Sequence, residues 1–123
     1  MHKVLIIEDD PFLIDLYLSK FSGEGFNVSV ANDGETGLKK IQEEKPEIIL
    51  LDVILPGIDG FAILKKIKED KELKDIPVVL LTNIGQKEEI EKGLQMGASQ
   101  YLIKAHHSPA EVTEIVKKIL EKK

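Results

Sequence analysis

The chain has no cysteine. That removes disulfide scaffolds, thiolate zinc sites and cysteine nucleophiles together, and it suits a reducing cytosol. It also lacks any long apolar run. Ile48–Leu51 and Val78–Leu81 are among the longest, far below the roughly 18 residues a membrane helix needs. A secretory signal is not expected, because Glu8, Asp9 and Asp10 interrupt the only apolar stretch near the start. Positive charge is short as well: 17 basic residues stand against 22 acidic ones, a net charge of −5, with no basic patch. Phosphate backbones would repel such a chain, so direct nucleic-acid binding is not expected. There is no low-complexity tract, internal repeat or linker, and 123 residues make one compact domain, residues 1–123.

What is present is the balance of a folding globular chain, with 42% hydrophobic and 32% charged residues. Five short apolar runs begin near residues 4, 27, 48, 78 and 101, and each is followed by a segment of helical spacing. The last helix is the clearest. Val112, Ile115, Val116, Ile119 and Leu120 share one face, and Ser108, Pro109 and Glu111 spell a capping box with proline in the first turn. Asp10–Pro11, Asp33–Gly34 and Asp59–Gly60 read as the starts of the first three helices. Continuous apolar strands are buried on both faces, so alternating βα units imply a parallel sheet covered by helices. The expected fold is α/β, an open, doubly wound five-stranded parallel sheet with its functional groups at the carboxyl ends of the strands.

Those strand ends carry Glu8, Asp9 and Asp10 after the first run, Asp52 after the third, Thr82 and Asn83 after the fourth, and Lys104 after the fifth. Two carboxylates about 4 Å apart repel by about 4 kcal/mol at an effective dielectric near ~20, so the cluster calls for a cation. A hard divalent ion such as Mg²⁺ fits, because it takes one or two carboxylates together with a phosphate oxygen. With Lys104 as a second cation and Thr82 as a hydroxyl donor, the natural anion is a phosphoryl group. Each residue alone has an ordinary explanation: Asp10 as a helix cap, Asp52 in local turn bonding, Thr82 as a strand residue, Lys104 as a solvated lysine, Tyr101 as packing. Capping cannot account for Glu8, Asp9 and Asp52 together, since a helix has one cap.

The segments Val4–Pro11 (VLIIEDDP), Leu51–Gly60 (LDVILPGIDG), Leu80–Thr82 (LLT) and Gly97–Lys104 (GASQYLIK) resemble the receiver domain of two-component response regulators over essentially the whole chain. The resemblance implies the flavodoxin-like strand order 2-1-3-4-5. It implies Asp52 as the phosphoacceptor, attacking the phosphorus of a phosphohistidine on a sensor histidine kinase or phosphotransfer protein. By the same resemblance Asp9, Asp52 and the backbone carbonyl of Ile54 hold Mg²⁺, Glu8 acts through metal-bound water, and Lys104 pairs with the phosphoryl oxygens. Thr82 and Tyr101 form a switch that alters the face of helix 4, strand 5 and helix 5 presented to a downstream target. This describes a cytoplasmic phosphoacceptor switch rather than an enzyme, and it leaves open whether the receiver stands alone or belongs to a longer regulator.

Three positions depart from the family pattern. Leu55 replaces a common methionine, Asn83 stands where a small residue is usual and narrows access, and Ala105 replaces the proline after the lysine. A cis peptide costs about 0.5–1 kcal/mol before proline but about 2.5–4 kcal/mol before alanine, so a trans Lys104–Ala105 bond with a rearranged loop is expected. His106 and His107 read as solvated loop residues. Competing functions lack their residues. An aspartyl-phosphate hydrolase wants an acid two residues after the nucleophile, where Ile54 stands, and a flavodoxin-like cofactor site wants a glycine- and hydroxyl-rich first loop. A phosphorylation-independent interaction module would have lost some of Asp9, Asp52, Thr82 or Lys104, and all four are present. Ile54 and Ile84 are expected to border the approach of water to the phosphoryl group and to slow its loss. In helix 1, Leu13, Leu16, Tyr17 and Phe21 are expected to face the core, leaving Ile14 and Leu18 exposed as a docking strip for the kinase.

Overall fold

A computed structural model describes residues 2–83 and 87–122. Five strands, β1 (Lys3–Ile7), β2 (Asn27–Ala31), β3 (Ile48–Asp52), β4 (Val78–Thr82) and β5 (Gln100–Ile103), alternate with five α-helices. These are α1 (Pro11–Gly23), α2 (Gly34–Glu44), α3 (Gly60–Glu69), α4 (Lys87–Gln95) and α5 (Pro109–Glu121), with a short 3₁₀ turn at Lys104–His106 before α5. The strands form one parallel sheet in the order β2-β1-β3-β4-β5.

Alternation along the strands divides the core in two. Leu5, Ile7, Ile49, Leu51, Val78 and Leu80 point to the face covered by α2, α3 and α4, where Ile41, Ile63, Leu64 and Ile67 meet them. Val4, Ile6, Ile48, Leu50, Val79 and Leu81 point to the face covered by α1 and α5, against Tyr17, Phe21, Val112 and Val116. A strand flanked by helices on both sides must be apolar at every position, which is why β3 and β4 read as unbroken apolar runs.

The helix starts follow the sequence signals. Asp10, Asp33 and Asp59 cap α1, α2 and α3 through their carboxylates, and Ser108 with Glu111 closes the capping box of α5. Gly25, Gly57 and Gly97 occupy positive φ at turns where a side chain would be strained.

Helix α1 departs from expectation. Tyr17 and Phe21 are buried and Leu13 packs against the core, but Leu16 is 39% exposed and does not join it. Ile14 is half-buried rather than exposed. The reason is angular. At about 100° per residue, Ile14 lies roughly 60° from Tyr17 around the helix, whereas Leu16 and Leu18 each lie roughly 100° away on opposite sides. Leu18 is accordingly 38% exposed, and Phe12, roughly 140° from Tyr17, is 70% exposed.

Candidate functional site

Register brings the functional side chains to one edge. Ile7 pairs with Leu51, Asp52 with Leu81, and Thr82 with Ile103, so Glu8, Asp52, Thr82 and Lys104 leave the sheet side by side. Glu8, Asp52 and Lys104 border a cavity of about 280 Å³ that is also lined by Asp9, Asp10, Ile54 and Asn83. Hollows of about 370 Å³ lie between α1 and Pro109 and on the outer side of α5. Among the described residues, however, only Glu8, Asp9 and Asp52 can offer three carboxylate oxygens within 4.8 Å of one another.

Within the cluster the acids are not equivalent. Asp10 is committed to capping, its Oδ1 accepting from the backbone N–H groups of Phe12 at 2.9 Å and Leu13 at 3.4 Å. Glu8 is fully buried, and its Oε2 accepts from the Asp10 backbone N–H at 3.0 Å. Asp9 is exposed toward solvent. The buried Asp52 is held at both oxygens, Oδ1 by the Ile54 backbone N–H at 3.1 Å and Oδ2 by Lys104 Nζ at 2.9 Å.

Lys104 Nζ also lies 2.5 Å from Glu8 Oε1, so one ammonium bridges two buried carboxylates. Burial pushes the Glu8 carboxyl above its ordinary pKa, against the pull of Lys104 and of the Asp10 N–H. Burial alone would lower the Lys104 ammonium, but Glu8 and then Asp52 outweigh it and hold the lysine charged. Lys104 reaches these partners with a trans bond to Ala105; the chain turns through Lys104–His106 where the family pattern has proline.

Thr82 is buried at the end of β4. The Tyr101 hydroxyl oxygen is also buried, and burial raises its pKa while the Thr82 side chain alongside acts in the opposite direction. The Tyr101 ring lies against α4 at Gly93, where a Cβ would stand 3.0 Å from its Cδ2. Ile54 is 71% exposed at the cavity rim, and Asn83 lines the same opening. Ile84, the other expected shield, lies outside the described residues.

Three carboxylates with hard oxygen donors, beside a captive ammonium and a buried hydroxyl, can hold a hard cation and an anion next to each other. The family model of the response regulator receiver domain matches residues 4–119. The chain belongs to that family. This receiver is 38% identical over 122 residues to the alkaline phosphatase synthesis transcriptional regulatory protein PhoP of Bacillus subtilis, covering 98% of this chain and 49% of that one. It therefore spans about half the length of such relatives. A putative response regulator from Chloroflexus aurantiacus superposes with a TM-score of 0.90 at 33% identity over 98% of each chain. The BeF3-activated receiver domain of Klebsiella pneumoniae RstA superposes at 0.87 with 30% identity, covering 96% of this chain and 97% of that one.

The structure places Glu8, Asp9, Asp52, Ile54 and Lys104 around the cavity, with Thr82 buried at the end of β4 and the Tyr101 side chain next to it. The site does not include Ile14 and Leu18, which lie along α1. Phe12, two residues beyond the Asp10 cap, is a further exposed aromatic on α1. No helix among the described residues is long and apolar enough to cross a membrane.

Proposed function

We propose that residues 1–123 act as one receiver unit that takes a phosphoryl group onto Asp52 in a Mg²⁺-dependent reaction. The observation that carries this reading is the Asp52 carboxylate, held between Lys104 and the Ile54 N–H beside two further acids. An Asp52 oxygen attacks the phosphorus of a phosphohistidine on a sensor histidine kinase or phosphotransfer protein. The O–P bond forms as the P–N bond breaks, and the imidazole nitrogen leaves with the electron pair. Asp9, Asp52 and the Ile54 carbonyl would hold Mg²⁺, with Glu8 behind them. The ion supplies positive charge that offsets the repulsion between the carboxylates and the incoming phosphoryl oxygens.

Lys104 moves from a carboxylate oxygen to a phosphoryl oxygen, keeping its charge paired throughout. Thr82 donates its hydroxyl to the phosphoryl group, and Tyr101 follows through the contact between the two side chains. The change is read by a downstream target on the face of α4, β5 and α5. The chain in this reading is a cytoplasmic switch that assists its own phosphorylation and dephosphorylation.

The test is uptake of label from a small acyl phosphate with and without Mg²⁺. One acid-stable, base-labile phosphoryl group per chain is expected with the metal, and none after EDTA. Uptake indifferent to EDTA would overturn the metal-dependent mechanism.

A further inference from the structure

We propose that Gly34, the first residue of α2, is a positioning residue for the metal site, acting through the loop that joins β3 to α3. The inference rests on the Mg²⁺ reading above. Residues 53–59 carry Ile54, whose N–H holds Asp52 and whose carbonyl is assigned to the metal.

That loop meets backbone on two sides, joined at Gly34 by the Ile58 side chain, whose Cγ2 would also stand 2.3 Å from a Cβ there. On the α3 side, the Gly60 N–H donates to the Val53 carbonyl at 2.8 Å, and a Cβ on Gly60 would stand 2.5 Å from the Asp52 carbonyl oxygen. On the α2 side, the Gly34 N–H approaches the Pro56 carbonyl at 3.5 Å, and a Cβ on Gly34 would stand 2.3 Å from the Ile58 carbonyl oxygen. A carbonyl oxygen cannot rotate out of the way as a side-chain end can, so any side chain at position 34 displaces the loop. The start of α2 is itself rigid, because Asp33 accepts from the Thr36 N–H at 2.7 Å and from its hydroxyl at 3.0 Å.

Gly37 provides the contrast. It lies on the same helix and is buried, but the three atoms nearest to a Cβ there all belong to the Ile7 side chain, the first at 2.7 Å. A methyl at 37 presses first on a core side chain and not on the loop backbone. Mg²⁺ demands near-ideal octahedral geometry, so displacement of the loop that bears Ile54 weakens it disproportionately.

The experiment is a Mg²⁺ titration of the full chain, followed by the backbone amide resonances of Asp52 and Ile54, with urea unfolding in EDTA as the stability control. Gly34→Ala should bind Mg²⁺ about tenfold more weakly than the unaltered chain, the range seen when support behind metal ligands is removed. Gly37→Ala should lose stability but keep the unaltered affinity. Unchanged affinity in Gly34→Ala, or equal loss in Gly37→Ala, overturns the proposal. Should Gly34→Ala fail to fold, Asp33→Ala, which unlocks the start of α2, should bind Mg²⁺ more weakly than Asp33→Asn, which keeps the cap. Equal affinity in that pair overturns the proposal too. An unaltered chain that shows no Mg²⁺ binding defeats the metal reading itself, which the titration reveals before any variant is compared.

Discussion

Lys104 reaches Asp52 at 2.9 Å while lying 2.5 Å from Glu8, so a single ammonium from the end of β5 is shared by acids from the ends of β3 and β1. Its side chain is almost wholly buried, as are those of both partners. Removing one member of such a buried set leaves the others uncompensated, which typically costs about 3–5 kcal/mol. Lys104→Met should therefore be destabilised by about 3 kcal/mol in metal-free urea unfolding. Saturating Mg²⁺ should recover part of that loss by supplying the missing charge. A variant as stable as the unaltered chain without metal would show that the lysine does not balance these acids.

Ile54 stands at the cavity rim, 71% exposed, where it can obstruct water but cannot orient it. Water must approach the phosphoryl group in line opposite the acyl oxygen, so the chemistry of this residue should govern how long the label persists. Ile54→Asn should shorten the lifetime of the phosphorylated chain, measured as loss of label after removal of donor. Decay unchanged by the substitution would end the shielding idea.

The corrected geometry of α1 separates docking from folding. Phe12 and Leu18 are exposed, whereas Ile14 is half-buried. Phe12→Asp and Leu18→Asp should slow transfer from a histidine kinase while sparing phosphorylation by a small acyl phosphate. Ile14→Asp should instead lower stability, by about 1 kcal/mol or more, because it puts a charge at a half-buried position. Parallel loss of both reactions in Phe12→Asp and Leu18→Asp would assign them a structural role.

Much of this was legible in the residues themselves. β1, β3 and β4 announce burial on both faces through unbroken apolar runs, and Asp10, Asp33, Asp59 and Ser108 mark helix starts because a cap needs a short polar side chain at one defined position. Parallel strands then deliver Glu8, Asp52, Thr82 and Lys104 to one edge. The phase of α1 was harder. Asp15, Ser19 and Ser22 mark its solvent side, but the apolar residues at 12, 13, 14, 16, 17, 18 and 21 spread well beyond the opposite face, and packing of Tyr17 and Phe21 decides which of the flanking ones are buried. The grip of Gly34 and Gly60 on the β3–α3 loop was illegible for another reason. Each reads locally as the residue after a helix cap, and the backbone opposite it comes from the far end of the same loop for Gly60 and from a different loop for Gly34.

Gly93 makes room for the inward Tyr101 ring. A Cβ there would lie 2.6 Å from Leu80 Cδ1 and 3.0 Å from Tyr101 Cδ2. Leu80 is locked in the core, so the less buried tyrosine should yield. Gly93→Ala should shift the ring resonances of Tyr101 before phosphorylation and reduce the further shift that phosphorylation produces. Ring resonances matching those of the unaltered chain in both states would show that Gly93 does not seat the tyrosine.

The intact mass of the chain after incubation with Mg²⁺ and an acyl phosphate shows whether Asp52 carries the phosphoryl group. The unaltered chain should gain the mass of one phosphoryl group, and Asp52→Asn, which removes the nucleophilic carboxylate while preserving its shape, should gain none. The same mass gain on Asp52→Asn would place the phosphoryl group elsewhere and contradict the account.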